Sequence, residues 1–249
     1  YSESVETDFG FQGDGRYDRK HFMGLGSVLY DISQDYVVDA TLEYVHSSER
    51  DLARKHISKL ESLDLIENSL IIFDRGYFST DMFNFLVDAG CSCLMRIKKS
   101  TTSLTGSEED DIVLDSAKYH ANIRVVQVEL STGEIEYLVT NILDPNITPE
   151  MLKKLYHKRW KIESKYYELK EHWELEQFNG ATSRSIEQEF FITLTKSNFC
   201  SIIKNEADRR IDLQSTGKET KKYQSTRSHL IGRLAVLFPM YLTGQAVNT

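Results

Sequence analysis

The stretch YHKRWKIESKYYELK, residues 156–170, decides how the chain is read. Tyr156, Arg159, Glu163 and Lys170 are separated within it by two, three and six residues. At about 100° per residue, one continuous helix would place all four within an arc of roughly 60°. The row would run roughly 21 Å along the axis at about 1.5 Å per residue. Leu155, Ile162, Tyr166, Leu169 and Trp173 form an apolar stripe about 70° to one side. Such a helix buries its stripe and holds the polar row at a rim. A carboxylate flanked by a guanidinium, an ammonium and a phenol suits a metal ion and phosphate. The same residues also read as a solvated face with charge pairs at helical spacing.

Upstream, Thr148-Pro149-Glu150 begins this helix, with Thr148 as N-cap and Pro149 in the first helical position. Asn179-Gly180 is expected to end it. Residues 185–205 give a further amphipathic helix, residues 209–224 a polar loop, and residues 228–242 a last helix interrupted by Pro239. On the N-terminal side, residues 1–24 are rich in Gly and charge and read as loop. Residues 26–32 (GSVLYDI) and 36–45 (YVVDATLEYV) read as an antiparallel hairpin turned at 33–35. Leu52, His56, Leu60 and Leu63 lie at helical spacing in residues 48–63, with Ser47 or Ser48 as cap. His56 has no second His or Cys at a ligand spacing, so it reads as a packed or surface residue.

Residues 70–73 (LIIF) are a short continuous apolar run, the pattern of a buried strand. The run ends in Asp74-Arg75-Gly76-Tyr77. A helix over 79–89 stops at Gly90, and residues 91–97 (CSCLMRI) form the next strand. Residues 98–111 are an acidic loop. Residues 112–114, 124–130 and 136–141 read as strands, with Ser131-Thr132-Gly133 as a hairpin turn. Residues 100–147 therefore read as a β-rich insertion.

Asp74 stands at the C-terminal end of a buried strand, where α/β folds place ligands. It also suits a cap for the turn at Arg75-Gly76. Together the spacing Y-x2-R-x3-E-x6-K, the text DRGY at residues 74–77 and LYD at residues 29–31 carry a resemblance. Over about residues 20–205 the chain resembles DDE transposases of the insertion-sequence type, in the branch with a tyrosine–arginine–glutamate–lysine motif. The resemblance implies a ribonuclease-H-like mixed sheet flanked by helices, with a β-rich insertion before the helix bearing the last catalytic carboxylate. It implies one catalytic domain over residues 1–249. It makes Asp74 and Glu163 catalytic, holding two Mg²⁺ ions for which Mn²⁺ can substitute. Arg159 and Lys170 would clamp phosphate and Tyr156 would contact the DNA backbone. Lys153, Lys158, Lys161 and Lys165 would add nonspecific phosphate contacts, and Trp160 would stack on a displaced base or pack in the core or an interface. The implied partner is double-stranded DNA, as transposon ends and target, bound by a homodimer.

The family's first catalytic Asp lies on a first core strand that should precede residues 26–32. Asp14-Gly15 follows FGFQG, which is not a buried strand, and Asp31 and Asp39 fall in the next hairpin. The first strand and its Asp are therefore expected upstream of Tyr1, along with any helical DNA-recognition domain. The absence of an initiator Met agrees with a fragment, which by itself should be inactive. Two other readings remain open. One is a truncated or decayed transposase that only binds DNA or a partner, and the other is a different ribonuclease-H-like nuclease.

Composition sets the remaining bounds. A chain of 249 residues with 40% hydrophobic and 27% charged residues is that of an ordinary globular protein. No run of 18 apolar residues exists, and residues 231–242 are short and contain Arg233, so no membrane span is expected. The polar N-terminus excludes a signal peptide. Cys91, Cys93 and Cys200 have no metal-like spacing and read as buried thiols of a cytoplasmic protein. The net charge of −8 argues against a surface coated in basic residues. Locally, residues 153–170 hold seven Lys or Arg against two Glu, and residues 204–233 eight against four acids. That asymmetry suits a DNA-facing side.

Overall fold

A computed structural model describes residues 2–13, 20–214 and 225–243. The chain forms two compact units, one of Tyr1–His46 with Ile162–Thr249 and one of Ser47–Lys161.

The N-terminal segment is not the loop that its Gly content suggests. Val5 and Phe9 are four residues apart, one helical turn, and both are buried beside Ile186. Their burial stabilises helix α1 (Glu3–Phe9). Gly10 ends it at φ +84°, where a Cβ would also meet the Tyr44 ring at 2.6 Å. Strands β1 (Phe11–Gly13) and β2 (Lys20–Phe22) pair antiparallel as a ribbon of their own. Asp14 and Gly15 lie outside the described residues. Strands β3 (Gly24–Asp31) and β4 (Tyr36–Tyr44) form the expected hairpin, again a two-stranded sheet. Asp31 is used by the turn itself, since its Oδ1 accepts from the amides of Ser33 and Gln34 and from the Ser33 hydroxyl.

The middle unit opens with α2 (Glu49–Ser62), capped by Ser48, whose hydroxyl accepts from the Asp51 amide. Strand β5 (Leu70–Phe73) then feeds α3 (Thr80–Asp88), which returns the chain to β6 (Ser92–Ile97) parallel to β5. A parallel pair needs such a crossover, and the Gly90 residue at φ +73° turns it. After the one-turn helix α4 (Thr102–Thr105) come β7 (Asp111–Leu114), β8 (Ile123–Glu129) and β9 (Ile135–Thr140). These strands do not form an appendage. They extend the same sheet, in the order β5-β6-β9-β8-β7, all antiparallel beyond β6. Arg124 and Asp111 join β8 to β7 through two charge-assisted hydrogen bonds, at 2.8 and 2.6 Å. Met82, Phe83, Leu86, Cys93, Met95 and Val139 fill the core on one sheet face. On the other, Leu152 and Tyr156 of α5 (Pro149–His157) pack with Leu94 and Leu138. Strand β5 is the sheet's terminal strand, and among the described residues it pairs with β6 alone.

The helix expected to run unbroken from Thr148 is two helices. Thr148 does cap α5, accepting from the Met151 amide at 3.3 Å. At Lys158 and Arg159, however, the amides bond three residues back, to Leu155 and Tyr156, and α6 (Trp160–Glu171) starts afresh. That tighter bonding breaks the constant phase of 100° per residue. Spacing arithmetic therefore does not carry from Tyr156 and Arg159 into α6. Helix α7 (Ser183–Gln214) runs past the expected end, converting 209–214 from predicted loop to helix. The rest of that predicted loop, 215–224, lies outside the described residues. Helix α8 (Arg227–Leu242) agrees with the expected 228–242 and holds Pro239 inside it without a break. No helix among the described residues is long and apolar enough to cross a membrane. The cysteines are free and buried, as expected.

Candidate active site

Asp74 leaves β5 directly after buried Phe73. Its Oδ1 accepts from the Arg75 amide at 2.7 Å, so it does cap its own turn. The same oxygen accepts from the Tyr156 hydroxyl at 3.0 Å. Its Oδ2 lies 3.8 Å from Arg159 Nη1, an ion pair longer than a hydrogen bond. The Arg159 guanidinium stands over the rings of Tyr156 and Trp160, at 5.7 and 5.5 Å from their centroids. Tyr156 is 2% exposed, whereas the Asp74 side chain is 47% exposed. A buried platform on α5 thus holds a carboxylate that still faces solvent.

Charge follows from this geometry. Burial alone would raise the Asp74 carboxyl. The Arg75 amide, the Tyr156 hydroxyl, Arg159 and Arg96 outweigh it and hold the group below the usual carboxylate range. Asp74 is ionised at neutral pH. Burial and the Asp74 charge push Tyr156 up to about 12, so its hydroxyl keeps its proton and remains a donor.

Arg96 is a site residue that the sequence reading missed. The parallel register pairs Phe73 with Met95, which puts Arg96 level with Asp74. Arg96 Nη1 bonds Glu136 Oε1 at 3.1 Å. Glu136 is buried, its Oε2 has no hydrogen bond, and His157 Nε2 is 3.9 Å from that oxygen. An Arg inside the apolar strand CSCLMRI, three strands before a Glu flanked by apolar residues, was the signal available. It needed the sheet order to be used.

The structure therefore brings Asp74, Tyr156 and Arg159 together in one unit. Glu163 and Lys170 belong to the other, both on α6. Glu163 is exposed in the first turn, where a helix N-terminus favours a carboxylate. Lys170 is half-exposed in the last turn and pairs with Glu176 at 2.7 Å. Two site residues are less open than the spacing suggests. Tyr156 is buried and its hydroxyl donates to Asp74. Arg159, expected to clamp phosphate, has a side chain that is 14% exposed. Lys165 is also no surface phosphate ligand, because it is buried among ionised partners described below. Trp160 is 60% exposed and is not a core residue.

As a metal ligand, Asp74 offers a hard, ionised oxygen, and its Oδ2 is not taken by a hydrogen bond at close range. Among the described residues no group of three His, Cys, Asp or Glu side chains is arranged to hold a metal ion. Asp74 fits as one ligand and falls short of a complete site.

The mixed five-stranded sheet flanked by helices, with an acidic residue ending β5, is a ribonuclease-H-like transposase fold. The sequence matches the family model of the transposase DDE domain over residues 5–199, and the chain belongs to that family. Among solved structures it is similar to a piggyBac transposase in a synaptic complex with hairpin DNA, at 10% identity and a TM-score of 0.55. That match covers 96% of this chain and 51% of the other, so the chain spans about half the piggyBac chain's length. No curated protein matches the sequence.

Proposed function

We propose that this domain catalyses cleavage of phosphodiester bonds at transposon ends and transfer of the freed strand, as a polynucleotidyl transferase of cut-and-paste transposition. The observation that carries the reading is the ionised, half-exposed Asp74 carboxylate, fixed by Tyr156 and Arg159 at the end of β5. Members of this family generally use divalent metal ions. Asp74 and Glu163 are the carboxylates proposed to hold them, with two Mg²⁺ ions, or Mn²⁺ in their place, as the finer assignment. Bound metal would activate water and stabilise the leaving 3′ oxygen.

Each side chain has its own part. Tyr156 fixes the orientation of the Asp74 carboxylate, and its role is exercised through that hydrogen bond. Arg159, held beside the Tyr156 and Trp160 rings, would present its fork to a phosphate beside Asp74. Lys170 supplies a point charge from α6, and exposed Lys158 and Lys161 add sequence-independent phosphate contacts. The proposed partner is double-stranded DNA, held by a homodimer, and the tyrosine–arginine–glutamate–lysine assignment belongs to the same proposal.

The test uses the full natural chain and a plasmid carrying the DNA ends that flank its gene, with Mg²⁺ or Mn²⁺. Nicked or linear product that disappears in Asp74→Ala and in Glu163→Gln, with duplex binding kept, supports the reading. Binding without cleavage by the unaltered protein would favour a decayed transposase instead. Normal cutting by Glu163→Gln would remove Glu163 from the site.

A further inference from the structure

Lys165 and Glu168 lie two and five residues beyond Glu163 on α6. On a regular helix they point about 200° and 140° round from it, to the opposite side. Glu163 is exposed, whereas Lys165 is buried and the Glu168 side chain is largely covered. What receives them is an ionic network, not an apolar groove. Lys165 Nζ lies 3.4 Å from Glu168 Oε1, 3.2 Å from Ser197 Oγ, 3.4 Å from Ser201 Oγ and 3.5 Å from Asp35 Oδ1. Arg227 of α8 pairs with Asp35 and Glu168 and donates to Ser201 at 2.9 Å. Trp173 Nε1 donates to Glu168 at 3.1 Å, and the Tyr30 hydroxyl donates to Asp35.

Two features show that this network is built rather than incidental. Asp35 sits at φ +61° in the hairpin turn, a conformation that suits Gly, so the chain accepts strain to place a carboxylate there. Its four charges are two of each sign, drawn from the β3–β4 turn, α6 and α8, with α7 hydroxyls between them. Apolar packing tolerates small rotations of a helix. A network of directed bonds in a low dielectric is satisfied at one rotation and register only.

We propose that Asp35, Lys165, Glu168 and Arg227 are positioning residues for Glu163, clamping α6 from behind so that its carboxylate leaves the helix in one fixed direction. The inference rests on the catalytic reading of Glu163 given above. It also gives α8 a task, since Arg227 lies beyond residues 5–199 that match the family.

The experiment uses the full-length protein and two readouts. Nitroxides at Glu163→Cys and at exposed Glu187→Cys on α7 report the position of residue 163. The native cysteines are buried and are spared by the label. The clamp predicts one narrow distance in this background. Lys165→Met and Glu168→Gln broaden or split it, while Lys165→Arg, which keeps the charge, restores it. In the protein with Glu163 retained, cleavage by Lys165→Met falls about tenfold to a hundredfold at temperatures where the variant is fully folded. Binding of the end duplex changes by less than about twofold. An unchanged distance distribution overturns the clamp, as does an unchanged cleavage rate in the folded variant while Glu163→Gln is dead. A broadened distance with Glu163→Gln still active keeps the clamp on residue 163 and overturns the catalytic reading instead.

Discussion

The two units each carry a cluster with the same charges, two carboxylates and two guanidinium or ammonium groups, and they use them in opposite ways. In the clamp of the N- and C-terminal unit, each carboxylate oxygen has a close partner. Asp35 takes Tyr30, Lys165 and Arg227, and Glu168 takes Lys165, Ser197, Trp173 and Arg227. In the middle unit, Arg159 stays 3.8 Å from Asp74 and Glu136 Oε2 has no hydrogen bond. A network in which every carboxylate oxygen is engaged specifies geometry, because any displacement costs several bonds at once, even with Arg227 Nε making no hydrogen bond. An unsaturated one keeps electrostatic capacity for something that arrives later. The contrast predicts that stability is concentrated in the first cluster and chemistry in the second.

The largest effect on stability should come from opening the saturated cluster. Lys165→Met keeps most of the volume but leaves Arg227 as the one cation paired with Asp35 and Glu168 among the described residues. Removing one partner of a buried network costs about 3–5 kcal/mol. Denaturant unfolding should show that loss, and the double variant Lys165→Met/Glu168→Gln should lose clearly less than the two single costs added together. A loss under about 1 kcal/mol for Lys165→Met would mean that the network is wet, and that the contrast between the clusters is false.

A middle-sized effect is expected at the link between Asp74 and its platform. Tyr156→Phe removes one hydrogen bond to a charged acceptor, worth about 1.5–3 kcal/mol when buried. Asp74 is half-exposed and keeps the Arg75 amide, so about 1 kcal/mol is the expected cost. The phenol itself offers a second measurement. Tyr156 titrates near about 12 in the folded protein. Its contribution is present below the ordinary tyrosine pKa and is lost as pH rises through the folded value. Asp74→Asn removes the carboxylate charge and should bring the ultraviolet titration of Tyr156 down. A titration that does not move would show that burial alone sets it.

How much of this was legible in the sequence depended on the range of the interaction. Strand β5, the caps Ser48 and Thr148, and the β3–β4 hairpin were read from neighbours in sequence, and the structure has them. Helix α1 was missed because Gly and charge outweighed the Val5–Phe9 spacing, whose burial depends on Ile186 far along the chain. The break at Lys158–Arg159 has no Gly or Pro to announce it. Lys165 looked like a surface cation because its partners Asp35, Ser197 and Ser201 lie 130, 32 and 36 positions away. Asp74 was legible from its place after an apolar run. Arg96 was not, because only the parallel register with β5 puts it beside Asp74. The spacing pattern pointed to Glu163, which stays a proposal, whereas the electrostatic surroundings of Asp74 required the sheet.

The smallest effect, and the most diagnostic, is the pH dependence that Asp74 contributes. Its folded pKa lies below the ordinary value, so the folded state releases the proton more readily than the unfolded chain does. The stabilisation is fully present above the unfolded carboxyl pKa, about 3.9, and is lost as pH falls through the folded value. Asp74→Asn keeps an oxygen for the Arg75 amide and the Tyr156 hydroxyl but carries no charge. The difference in denaturation midpoint between the native protein and Asp74→Asn should therefore be constant from pH 7 to about 5 and shrink below that. Because the carboxylate is half-exposed, added salt should reduce the whole difference. The clamp offers the control, since Lys165→Met should remain strongly destabilised across pH 5–7 and respond little to salt. A difference that grows on acidification would mean that Asp74 is held protonated in the folded state. In that case Arg159 and Arg96 would not govern its charge, and the open cluster would not be poised to receive a cation.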